Sequence, residues 1–174
     1  MKKSMLAVLL VAAPMLAQKP SQDQAAVVLN AAGCGPNEVR FDVATDKHQH
    51  PTAQPEVGKA LVYLIGDVLF GRPTTRVGID GAWVGANHGE SYFFFPVDPG
   101  DHHLCINWQS SLKRLSRLGS AVSFTAEAGK VYYFRTASDE KKEHELGLTL
   151  ELLDPAKGQF LISSSALSTS HPKK

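Results

Sequence analysis

The residues able to do chemistry are few and fall into two groups. His48 and His50 stand two apart beside Pro51, and His102 and His103 follow Asp101 and precede Cys105. Imidazole, carboxylate and thiolate are ligands for zinc or copper. One reading of the chain is therefore a metal-binding protein or metal-dependent hydrolase built on His102, His103, His48 and His50. Strand geometry counts against it, because adjacent side chains on a strand point to opposite faces and only a spacing of two lets a pair share an ion. A nucleophile would need a base and an orienting group, and neither a Gly-x-Ser-x-Gly turn nor a catalytic-cysteine setting is present. Gly33-Cys34-Gly35-Pro36 reads as a turn around a half-cystine, and Glu127, Asp139 and Glu140 read as loop carboxylates. No catalytic, cofactor-binding or metal residue is assigned on this pattern, and no cofactor is expected.

The compartment explains the cysteines. Met1-Lys2-Lys3-Ser4 precedes an apolar run from Met5 to Ala13, closed by Pro14-Met15-Leu16-Ala17-Gln18. This is the pattern of a secretory signal peptide, residues 1–17, cleaved after Ala17. The run is shorter than the roughly 20 apolar residues that a membrane span requires, and no later segment is more apolar. The expected location is the periplasm or the extracellular space. Two cysteines in an exported chain make a Cys34–Cys105 disulfide the default, and closing a loop of about 70 residues stabilises by roughly 4 kcal/mol. The alternatives are two separate thiols, or a lipidated Cys34 after the small-residue stretch Ala31-Ala32-Gly33. The distance of that stretch from the apolar run argues against a lipid anchor. Removing Lys2 and Lys3 from the 18 basic residues leaves 16 against 17 acidic ones, so net charge points to no nucleic-acid partner.

The elements that must position these residues are strands. Residues 18–58 read as an N-terminal arm and linker, with one short strand around Phe41-Asp42-Val43 and two prolines, Pro51 and Pro55, breaking any period. From Lys59 strand signals recur at short intervals up to residue 165, which predicts an all-β, antiparallel β-sandwich of about 7–9 short strands with a short C-terminal helix. Ala60-Leu61-Val62-Tyr63-Leu64-Ile65 is apolar throughout and predicts a central strand covered on both faces. Asp80-Gly81 predicts a type I′ hairpin. In the strand 102–108, His102, Leu104, Ile106 and Trp108 share the core face and Cys105 lies on the other with His103 and Asn107. Residues 111–119 place Leu112, Leu115 and Leu118 three apart among Lys113, Arg114 and Arg117, which suits one or two helical turns. Residues 138–145 read as a charged connection. Leu146, Leu148, Leu150 and Leu152 alternate in a last strand, and Asp154-Pro155 signals a helix start. Residues 166–174 read as a flexible tail.

Taken in order, Lys59-Ala60-Leu61-Val62-Tyr63, Ile79-Asp80-Gly81, Ser91-Tyr92-Phe93, Val97-Asp98-Pro99-Gly100 with His103, and the stretch from Ala126 to Phe134 resemble an uncharacterised bacterial family of exported and lipoprotein-like β-sandwich proteins, a domain of unknown function similar to PEGA-type domains. The resemblance covers about residues 59–154. It implies an antiparallel sandwich in the cell envelope and carries no functional residues, since its motifs are turns and strands. Many members look anchored through an N-terminal cysteine, a pattern from which Cys34 departs.

Two surfaces remain as candidates for recognition. Lys113, Arg114 and Arg117 could meet anionic envelope material, against the plainer reading of leucines packed on the sheet and solvated charges. Trp83, Tyr92 and Phe93-Phe94-Phe95 could offer an aromatic platform for a glycan or a partner strand, against plain core packing. The sequence thus predicts an exported, non-enzymatic envelope protein, a binding or scaffolding module whose partner is an envelope protein or a glycan.

Overall fold

The structure, a computed structural model, describes residues 34–51, 53–66, 73–141 and 145–174. The expected signal peptide, and residues 18–33 after it, lie outside the described residues.

Among the described residues ten strands and two short helices follow one another: β1 (Phe41–Asp46), β2 (Ala60–Gly66), β3 (Thr74–Ile79), β4 (Ala82–Asn87), β5 (Ser91–Val97), β6 (Gly100–Gln109), α1 (Lys113–Ser116), β7 (Gly119–Ala126), β8 (Val131–Lys141), β9 (Glu145–Leu153), α2 (Pro155–Ser164) and β10 (Ala166–Pro172). They form a six-stranded sheet, β1-β10-β5-β2-β8-β9, facing a four-stranded sheet, β4-β3-β6-β7. The all-β sandwich is as expected, and most pairs are antiparallel. Two are parallel, β2 with β8 and β5 with β10.

The alternation of each strand divides the apolar residues between two clusters. Val62, Leu64, Val77, Phe93, Phe95, Leu104, Ile106, Trp108 and Phe134 fill the space between the sheets. Leu61, Tyr63, Ile65, Tyr92, Tyr133 and Leu153 lie on the outer face of the six-stranded sheet, where Leu161 and Ile162 of α2 pack on them. This is why β2 is apolar without a break. Asp80 and Gly81 take φ of 50° and 85°, and Ile79 pairs with Ala82 across a two-residue turn, the backbone that a type I′ hairpin demands. Asp154 caps α2 by accepting the Lys157 amide at 3.0 Å. Gly158 lies directly on the Tyr133 ring, so that a side chain there would overlap it.

The folded unit is wider than residues 59–165. β1 and β10 pair along six residues, so part of the expected arm and most of the expected flexible tail are sheet. The tail was illegible because, after the buried Ala166, its inward positions are serines: Ser168 Oγ meets Ser91 Oγ at 2.6 Å, and Ser170 Oγ accepts the Ala86 amide at 3.0 Å. No apolar period marks such a strand. The expected connection at 138–145 is also corrected, since β8 and β9 pair up to Lys141 and Glu145. Of the segment 111–119 a single turn is helical, with Leu115 and Leu118 against the core.

Cys34 and Cys105 are disulfide-bonded, with Cα atoms 5.6 Å apart. Cys105 lies on the outer face of the four-stranded sheet between Gly78 and Ala121. These small neighbours leave room for residues 34–39 to cross the sheet; a side chain at Gly78 would overlap the Cys34 carbonyl. Arg76, 3% exposed, donates to the carbonyls of Asn37 (3.1 Å) and Val39 (2.7 Å) and to Asn107 Oδ1. Its guanidinium sits 4.4 Å from the centre of the Trp83 ring, and Trp83 Nε1 donates to the Pro36 carbonyl at 2.7 Å. Burial pulls the Arg76 pKa down, and the positive Arg40 adds to this.

Candidate functional site: a groove beside the C-terminal helix

A groove of about 620 Å³ runs between α2 and the segment carrying His50, Pro51, Ala53 and Gln54. Its floor is aromatic because Tyr63 and Tyr133 are register partners on the adjacent strands β2 and β8. The Tyr63 ring stands 5.2 Å from both Phe94 and Tyr133 and stacks on Tyr133. The Ala53 amide donates to Tyr63 Oη at 3.1 Å, tying the non-helical wall to the sheet. Burial raises the Tyr63 pKa, partly offset by its bond to Ala53, so the phenol stays neutral. Gln54, Lys130 and Gln159 stand around the floor. A second cleft of about 260 Å³ shares His50 and Ser163 with the first and continues to Lys47, His88 and Glu90.

The polar groups lining the groove and the adjoining cleft differ in how far they are already committed. Ser163 Oγ donates to the Phe160 carbonyl, Ser164 Oγ and Ser165 Oγ donate to the Leu161 carbonyl, and Ser91 Oγ donates to the His88 carbonyl. A hydroxyl whose proton is held by a backbone carbonyl has no base beside it to make it a nucleophile. The side chains of Gln54, Gln159, Lys47 and Lys130 make no hydrogen bond or ion pair among the described residues, so they are free to meet a ligand.

The histidines do not converge. His102, on the core face of β6 as expected, is held at both nitrogens, Nδ1 by Asp80 Oδ2 at 2.6 Å and Nε2 by the Asp98 carbonyl at 2.7 Å. A carbonyl and a carboxylate only accept, so both nitrogens carry protons and no lone pair is left for a metal. Burial lowers the His102 pKa, but the Asp98 carbonyl and the Asp80 carboxylate outweigh it and the net shift is upward. Asp80 moves down: its own burial is outweighed by the His103 amide, which donates to Oδ1 at 2.8 Å, and by His102. His103 is exposed on the opposite face. His48 and His50 are exposed beyond β1, His50 Nε2 lying 3.0 Å from the Lys47 carbonyl. His50 and His88 line one cleft, and His88 follows a residue aligned through β3 with Trp108. That is the far end of β6, about 20 Å from His102 at roughly 3.4 Å per residue. Among the described residues no three His, Cys, Asp or Glu side chains are grouped to hold a metal ion.

The aromatic run follows the plainer reading, core packing, in the main. Tyr92, Phe93 and Phe95 are buried, Phe94 is half-buried beside Tyr63, and Trp83 is occupied by Arg76 and Pro36. Tyr63, Tyr133, Gln54 and Gln159 had no local signal as site residues, since the groove exists only where three distant segments meet.

No family model matches the chain, and no curated protein does. Among solved structures, the NMR structure of a protein from Eubacterium rectale is similar at 14% identity over 58% of this chain and 94% of that one, with a TM-score of 0.38. A likeness that distant assigns neither a fold nor a role. No helix among the described residues is long and apolar enough to cross a membrane.

Proposed function

We propose that the protein is an exported, non-enzymatic binding module of the bacterial cell envelope, related to PEGA-type domains, and that the groove beside α2 receives a segment of an envelope protein or glycan. One observation carries this reading: a continuous groove with an aromatic floor is edged by amide and ammonium groups that have no partner within the described residues. Binding sites combine apolar walls with a few convergent polar groups in this way. Binding is favoured over catalysis because the Ser163 hydroxyl in the groove already donates to a carbonyl, as do those of Ser91, Ser164 and Ser165 in the adjoining cleft. The signal-peptide pattern and the disulfide support export.

The test is a photo-crosslinking side chain at Gln159 in intact cells, with the same group at Ser123, exposed on the other sheet, as control. Adducts formed from position 159 and lost in a Gln54→Ala variant are expected. Adducts of equal yield from both positions, or from neither, would refute the groove.

A further inference from the structure

The β6–β7 connection carries a second recognition surface, on a different sheet from the groove. Of its three leucines, Leu115 and Leu118 pack on the core, whereas Leu112 is 63% exposed. Lys113, Arg114 and Arg117 around it are exposed and make no ion pair among the described residues. From His102 to Ala126 the sequence contains no aspartate or glutamate. Arg40 joins the patch through its Nη1, which donates to the Ser110 carbonyl at 3.4 Å. Of the carboxylates on the adjoining chain, Asp42 is paired with Lys173 at 2.8 Å, which leaves Glu38. The connection is held in shape from beneath, where Asn107 Nδ2 donates to the carbonyls of Ser116 (2.9 Å) and Leu118 (3.1 Å). It therefore presents a preformed apolar tip in a ring of positive charge.

We infer that this tip docks the protein on an anionic lipid surface, with Leu112 entering the headgroup boundary while Lys113, Arg114 and Arg117 meet the phosphates. Charge complementarity selects an anionic partner, and the leucine selects a bilayer over a soluble polyanion, which offers nothing for an apolar tip to enter. One leucine and a few cations make a weak, reversible contact that depends on both terms together. The docking is independent of the groove and holds whatever the groove binds.

Sedimentation of the purified protein with vesicles tests it. Phosphatidylcholine vesicles containing about a third phosphatidylglycerol should bind at least about tenfold more tightly than phosphatidylcholine alone, and high salt should abolish the difference. The triple variant Lys113→Gln, Arg114→Gln, Arg117→Gln should lose vesicle binding. Leu112→Ser should weaken vesicle binding several-fold and leave binding to dextran sulfate unchanged. All four positions are exposed, and unchanged thermal melts will show that the variants fold. Equal binding to both vesicle types, or a triple variant that binds like the parent, overturns the inference. A Leu112→Ser variant that keeps full vesicle affinity also overturns it, and makes a soluble polyanion the occupant of the patch.

Discussion

The outer face of the six-stranded sheet is roofed by α2, seated through Leu161, Ile162 and the close contact of Gly158 with Tyr133, whereas the outer face of the four-stranded sheet is crossed by residues 34–39, held by a disulfide, a buried arginine and a tryptophan. The ten-residue helix brings apolar side chains, Leu161 and Ile162, to pack on the sheet. The six residues 34–39, irregular chain that includes Gly35 and Pro36, bring little to pack. Their attachment has to be covalent and polar. The difference shows in how much space each cover leaves beside it: about 620 Å³ next to the helix and about 150 Å³ next to the arm, which lies so close over Gly78 that a side chain there has no room.

Breaking the covalent attachment should have the largest effect. Cys34→Ser with Cys105→Ser should lower stability by about 4 kcal/mol in denaturant titrations, and alkylation of the parent should require reductant. Next is the polar attachment. Arg76→Met strands the Asn37 and Val39 carbonyls and should cost about 3 kcal/mol, with Trp83 fluorescence shifting as the arm lifts. On the other face, Gly158→Ala pushes a methyl group into the Tyr133 ring and should cost about 2 kcal/mol. Hydrogen exchange should then rise in α2 while the strands of the four-stranded sheet keep their protection.

The smallest effect concerns the turn that the four-stranded sheet builds around His102. Protonated His102 is the form that Asp80 and Asp98 hold, with its pKa above 6.5. Its stabilisation is complete below pH 6.5 and is lost as pH rises through the raised folded value. Asp80, held below 3.8, stabilises above that pH and loses its contribution as pH falls through its lowered value. The pair therefore contributes most between those two limits. His102→Gln should cost about 1 kcal/mol at pH 5.5 and less at pH 9, measured by thermal melts across pH. An equal cost at both values would mean that the ring acts by packing alone.

Much of the fold was legible. β2, β6 and the leucines of β9 show their faces in the spacing of their own side chains, Asp80-Gly81 states its turn, and Asp154-Pro155 states where α2 begins. The site was not legible. His102 and His103 look like metal ligands in a row, yet Asp80 and Asp98, from two other turns, occupy the first and strand parity removes the second. Leu112, Leu115 and Leu118 share one spacing, and only the packing of the connection separates the one left outside.

From its residues alone the chain specified a strand-rich sandwich, the direction each alternating strand must face, and the side of the sheet on which Cys105 lies, because these depend on neighbours within a few positions and on the period of two. Tertiary structure decided that serine hydroxyls help to dock β10, that an arm and a helix cover opposite outer faces, and that a groove opens beside the helix. The docking of β10 and of the arm needs groups more than 70 residues apart to meet, as Ser91 meets Ser168 and Cys34 meets Cys105, and a hydrogen bond or a void between distant groups leaves no periodic mark along the chain.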